Sequence, residues 1–135
     1  MIRPSAYALI NDEQGRIALV RTNQGTFLPG GGIESNESPR DAVIREAREE
    51  CGLIVRPGDC VARAIQFVYS VAERADFEKR SIFIECDCAG LDPTNAEAGH
   101  ELIWTKVDDA IEALSHESQS WAIRTWKFEA SKQAT

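Results

Sequence analysis

Two apolar runs, Ala6-Tyr7-Ala8-Leu9-Ile10 and Ile17-Ala18-Leu19-Val20, flank the polar segment Asn11-Asp12-Glu13-Gln14-Gly15. That pattern predicts a β-hairpin with glycine where the turn calls for positive φ. A Gly/Pro-rich loop, Leu28-Pro29-Gly30-Gly31-Gly32, follows. The next segment reads as a helix over 39–51. Ser38 suits the N-cap, Pro39 the first turn, Asp41 completes a capping-box-like pair with Ser38, and Gly52 closes the C-terminal end. Cys60 to Val71 and Arg80 to Cys88 are rich in β-branched and aromatic residues and predict strands, and Leu102-Ile103-Trp104 a short one. Asp108 or Asp109 is placed to cap a helix through Leu114. A last helix is expected over 118–130, with Trp121, Ile123 and Trp126 at core-compatible spacing. The class is α+β or α/β with a mixed sheet.

Composition narrows the reading. With 135 residues, 43% of them hydrophobic and 27% charged, the chain has the make-up of one domain over 1–135, burying roughly two-thirds of its unfolded surface. No repeat or linker divides it. Its apolar runs are far shorter than the ~20 residues of a membrane-spanning helix. Met1-Ile2-Arg3-Pro4-Ser5 leads directly into strand-like sequence without a secretory pattern, so a cytoplasmic location is expected. Cys51, Cys60, Cys86 and Cys88 match neither a zinc site nor a disulfide framework and read as small, mostly buried hydrophobes. Cys86 and Cys88, two apart on a strand, share a face. The net charge of −7 and pI near 4.8 leave no broad positive field for a nucleic-acid polymer or an acidic membrane. A polyanionic substrate then has to be managed by bound cations.

At about 100° per residue, Glu46, Glu49 and Glu50 fall within about a 100° sector of the helix, with Ile44, Ala47 and Cys51 turned away. Carboxylates held this close repel one another, and a hard divalent cation removes the penalty. Oxygen-only ligands suit Mg²⁺ or Mn²⁺, ions that typically join carboxylates to water and to substrate phosphates. Gly30-Gly31-Gly32 lets backbone approach the same place closely. Taken alone, however, Glu-x-x-Glu-Glu reads first as a solvated helical face, as most charge runs are.

The longer segment is more specific. Gly31, five residues, Glu37, seven residues, then Arg45-Glu46-Ala47-Arg48-Glu49-Glu50-Cys51-Gly52-Leu53 resembles the Nudix box at every defined position. Seven fixed identities agree by chance on the order of once in 10⁸ placements. Asn36 stands where many members carry glycine, and asparagine tolerates positive φ. Resemblance to the Nudix (MutT-like) hydrolase family implies an α/β/α sandwich, a mixed sheet between helices, with a loop–helix–loop box. It implies that Glu46, Glu49 and Glu50 bind Mg²⁺ or Mn²⁺, with the Gly30 carbonyl as a further ligand. Gly31, Glu37, Arg45 and Gly52 would support the box, Glu37 and Arg45 bracing loop against helix. A metal-activated water would then attack phosphorus.

In the family a further acidic ligand or general base often precedes a strand carrying a tryptophan. Glu97 and Glu101, ahead of Trp104, both qualify, and Glu78 is a weaker candidate. His100 and His116 sit in no defensible catalytic spacing and read as surface or structural residues. Trp104, Trp121 and Trp126 read as core. Tyr69, near Phe67, resembles a tyrosine of the diadenosine-polyphosphate-cleaving branch, although a half-buried strand tyrosine is the preferred reading. The expected function is pyrophosphohydrolysis of a small nucleotide-type substrate, a nucleoside triphosphate or a dinucleoside polyphosphate, by a monomer or homodimer. The competing reading is a non-catalytic ligand sensor, whose box carboxylates are usually lost; here all are kept.

Overall fold

The computed structural model describes residues 1–134, and the N-terminal apolar runs become β1 (Ile2–Asn11) and β2 (Arg16–Thr22). Ser5 to Ile10 are all buried because β1 is central, in the order β3-β2-β1-β6-β5, and covered on both faces. The other strands are β3 (Gly25–Phe27), β4 (Gly30–Gly32), β5 (Leu53–Ser70), β6 (Ala75–Leu91) and β7 (Glu101–Lys106). β4 pairs with β1 and β7 with β2. β1 runs parallel to β6, while the other pairings are antiparallel, so the sheet is mixed.

Helices cover both faces. Ala6, Ala8, Ile10, Ile84 and Cys86 pack with Ala42, Val43 and Ala47 of α1 (Pro39–Cys51). Tyr7, Leu9, Ile17, Leu19 and Phe83 pack on the opposite face with α2 (Val107–Ala113) and α3 (Glu117–Ala134), through Ala110, Ala122 and Ile123. The result is an α/β/α sandwich. Small alanines at the α1 contact bring that helix close to the sheet.

α1 has the limits expected from its caps. The Ser38 hydroxyl accepts from the Asp41 N–H at 3.0 Å and the Asp41 carboxylate from the Ser38 N–H at 3.2 Å. Gly52, in the left-handed region at φ 65°, closes the helix with its N–H on the Arg48 carbonyl.

Several expectations need correction. β5 and β6 extend well beyond 60–71 and 80–88 as a long hairpin whose outer part is held by backbone pairing. The Gly/Pro-rich loop contributes β4, and the residues just before it form β3. Lys106, not Asp108 or Asp109, is the N-cap of α2, and both aspartates lie in its first turn. α3 spans Glu117–Ala134 rather than 118–130, and Trp121 is 42% exposed, outside the core. Cys60 is also exposed, at a bulge in β5.

Candidate active site

The carboxylates of α1 press against a strand that has no side chains. At Gly30, φ is 150°, and an added Cβ would lie 2.3 Å from the Ala6 carbonyl oxygen and 2.7 Å from the Tyr7 Cα. Only glycine lets β4 lie there against β1. An added Cβ at Gly31 would stand 3.0 Å from Glu46 Oε1. The Gly30 N–H donates to Glu50 Oε1 at 2.7 Å.

Arg45 joins loop and helix. Its Nε and Nη2 donate to the two Glu37 oxygens at 2.8 and 3.0 Å, and Nη2 also donates to the Gly32 carbonyl at 3.1 Å. Nη1 donates to Glu46 at 2.9 Å and Glu49 at 3.4 Å. This bidentate geometry is one that lysine cannot reproduce. It holds the Glu37 carboxyl down at about 2, assisted by the Glu34 N–H, and pushes the Arg45 pKa further up. The Glu37 loop turns through Asn36 at φ 67°.

The two inner carboxyls, Glu46 and Glu50, are both raised, in contrast to Glu37. Burial pushes Glu50 up to about 8, with the Glu46 and Glu97 charges adding to the shift and the Gly30 N–H opposing it. Burial also raises Glu46 despite Arg45. Each of Glu46 and Glu50 shifts the other, and a bound cation would relieve the same repulsion. Among the described residues no three acidic, histidine or cysteine groups converge in metal-ligand geometry. The side chains are instead directed to Arg45 and to Gly30. Their donor chemistry nevertheless fits a hard divalent ion: clustered carboxylate oxygens, two of them on groups that resist ionisation without one.

Outside the box, the structure separates residues that the sequence left equivalent. The Glu97 N–H donates to the Glu49 carbonyl at 2.6 Å, placing the 92–100 loop over the C-terminal end of α1. Glu101 instead begins β7, with Arg21 of β2 4.0 Å away. Glu78 is paired with Arg80 on β6. His100, read from sequence as structural, lies between acidic groups, its Nε2 4.0 Å from Glu50 and its Nδ1 3.6 Å from Glu97. No spacing in the sequence signals this, because the loop rather than a local motif brings His100 to the helix.

On the sheet face opposite α1, Lys79 Nζ stands 5.0 Å from the centre of the Tyr7 ring, and Tyr7 in turn abuts Gly30. Phe27 and His116 form a ring contact at 5.2 Å. Burial, and then the charge of Lys79, hold His116 below its usual value.

Comparison with known proteins is consistent across the chain. A model of the NUDIX domain matches residues 1–126. Over 54 residues the chain is 43% identical to an RNA pyrophosphohydrolase of Saccharophagus degradans, covering 38% of this chain and 32% of that one. The match therefore spans about a third of that relative's length. A Nudix hydrolase from Nitrosomonas europaea superimposes with a TM-score of 0.76 at 16% identity, over 96% of this chain and 90% of that one. An Ap4A hydrolase binary complex from C. elegans gives 0.71 at 16% identity, over 96% and 98%. At these identities the structural likeness establishes the fold.

Proposed function

The chain belongs to the Nudix family, and from that premise we propose that it is a Mg²⁺- or Mn²⁺-dependent pyrophosphohydrolase. It cleaves a phosphoanhydride bond in a nucleoside triphosphate or a dinucleoside polyphosphate. The observation that carries this reading is the placement of Glu46 and Glu50, two carboxyls raised by burial, against side-chain-free β4. Such an arrangement costs stability unless a cation is used there.

Glu46, Glu49 and Glu50 are the residues to hold the ion. Once bound, the metal lowers the pKa of a coordinated water and offsets phosphate charge. The chain's own groups do the rest. The Gly30 N–H orients Glu50, and Arg45 fixes Glu46 and Glu49 relative to the Glu37 loop. Glu97, more exposed than Glu50, is the group to accept the proton of the attacking water, with His100 positioned between the two. On the other sheet face, the Lys79 ammonium beside Tyr7 offers positive charge to an anionic substrate in a chain of net charge −7.

The test is phosphate or pyrophosphate release from nucleoside triphosphates, dinucleoside polyphosphates, nucleotide sugars and ADP-ribose, with Mg²⁺ or Mn²⁺ and with EDTA. Metal-dependent cleavage confined to the first two classes is expected. Folded, metal-loaded protein that binds a nucleotide without cleaving any of the panel would instead support a ligand sensor.

A further inference from the structure

The imidazole of His100 stands between two carboxylates and is hydrogen-bonded to neither. Its Nε2 is 4.0 Å from Glu50 Oε2 and its Nδ1 3.6 Å from Glu97 Oε2, both beyond hydrogen-bond length. The side chain is 25% exposed, and Nδ1 is buried without a hydrogen-bond partner. Buried polar atoms left in that state are few in folded proteins, and each calls for a reason. The ring is also held in place from both sides. The loop that carries it is tied to the end of α1, the Asp92 N–H donating to the Gly52 carbonyl at 2.7 Å and the Glu97 N–H to the Glu49 carbonyl at 2.6 Å. Arg48 Nε lies 3.5 Å from Asp92 Oδ2. From Glu101 onward the chain is paired in β7 with β2. Glu50, for its part, accepts the Gly30 N–H at Oε1 and presents Oε2 to the ring.

We propose that His100 Nε2 is a ligand of the cation held by Glu50, so that the centre combines nitrogen and oxygen donors and favours a transition ion such as Mn²⁺ over Mg²⁺. The inference rests on the proposed hydrolase reading, which supplies the cation. Donors sharing one octahedral ion at ~2.1 Å stand roughly 3 Å apart when adjacent and about 4 Å apart when opposite, a range that contains the separation of His100 from Glu50. Glu97 fits behind the ring. A metal-bound imidazole gives its second N–H to a carboxylate or carbonyl, which fixes the tautomer and aims the other nitrogen at the ion. The Glu97 side chain is 53% exposed and therefore free to close the remaining gap to Nδ1. A carboxylate accepts at both oxygens, so this contact leaves Glu97 able to serve the attacking water. Imidazole nitrogen suits ions of the first transition row, whose affinity for such sites rises from Mn²⁺ onward, whereas Mg²⁺ keeps to oxygen and water.

The test is made on the full chain carrying ¹⁵N-labelled histidine. It is titrated with Mn²⁺, and the bound ion is examined by electron spin-echo spectroscopy, in which a coordinated imidazole nitrogen modulates the echo at frequencies set by the isotope. The chain has two histidines, and His116 contacts Phe27 on the other sheet face. Wild type is expected to show histidine-nitrogen coupling that is kept in His116→Gln and lost in His100→Gln. In His100→Gln, Mn²⁺ affinity should fall on the order of 10-fold, the lower end for losing a group that supports a metal site. Mg²⁺ affinity, measured by competition, should barely change. Bound Mn²⁺ without histidine coupling in wild type would overturn the proposal while leaving the carboxylate centre intact, and this measurement decides even where a variant does not fold. Coupling that survives in His100→Gln would overturn it as well. Folded wild type that binds no Mn²⁺ would overturn the centre itself, and this ligand with it.

Discussion

Glu50 is the residue in which burial and function meet most directly. Its folded pKa of about 8 lies above the ordinary carboxylate value of 4.5. Between those values the folded protein keeps a proton that the unfolded chain releases, so stability must fall as pH rises through this window. For metal-free protein, the melting temperature is expected to decline from about pH 5 to about pH 8. The decline should be shallower in Glu50→Gln, and added Mg²⁺ or Mn²⁺ should raise the melting temperature more at the upper end than at the lower. Equal slopes in the two proteins would show that Glu50 does not titrate there. Glu37 has the reverse sign: with a folded pKa of about 2, its contribution is complete above 4.5 and is lost as pH falls through 2. The assignment of Glu97 over Glu101 is tested by kinetics. Glu97→Gln should lower kcat on the order of 10²-fold as for a lost general base, whereas Glu101→Gln, altering a residue beside Arg21, should leave it near wild type. The reverse order would exchange the two roles.

At the scale of elements, the site depends on one helix fixed to one loop and one short strand. Arg45→Ala leaves the Glu37 carboxylate and the Gly32 carbonyl without their donor. A loss on the order of 2–3 kcal/mol is expected, as for hydrogen bonds to charged groups. It should appear as a lower melting temperature together with lower activity, and an unchanged melting temperature would remove Arg45 from the brace. Gly30→Ala should be more severe, since the new methyl meets backbone at Ala6 and Tyr7 rather than a movable side chain. The limits of α1 were legible because caps are local chemistry: Ser38, Asp41 and Gly52 act within a few residues of the ends they define. The lengths of β5 and β6 were not legible. The missed part of β5, residues 53–59, carries Pro57 and Gly58 and crosses register shifts although Leu53 and Val55 are buried, and the charged stretch 73–80 conceals the start of β6. His100 was missed for a related reason, because it reaches Glu50 across 50 positions through the 92–100 loop. The choice between Glu97 and Glu101 turns on where β7 begins, a boundary set by pairing with β2 rather than by local sequence.

For the whole molecule, the acidic charge and the acidic site are parts of one arrangement. A chain of net charge −7 does not draw in a polyphosphate by its overall field, so on the proposed reading the approach of such a substrate to Glu46, Glu49 and Glu50 requires a cation to neutralise them. Activity should therefore vanish with EDTA and return on addition of Mg²⁺ or Mn²⁺. No described helix is long and apolar enough to cross a membrane. The sandwich places α1 and the α2–α3 layer on opposite faces of β1, with β4 between the carboxylates and Tyr7. The most direct measurement is steady-state hydrolysis of the preferred nucleotide by wild type and Glu50→Gln at saturating Mg²⁺. A fall in kcat of at least ~10²-fold, with the folded fraction unchanged, is expected when a metal-binding carboxylate is lost. Near-normal turnover by folded Glu50→Gln would contradict a metal centre built on this face of α1.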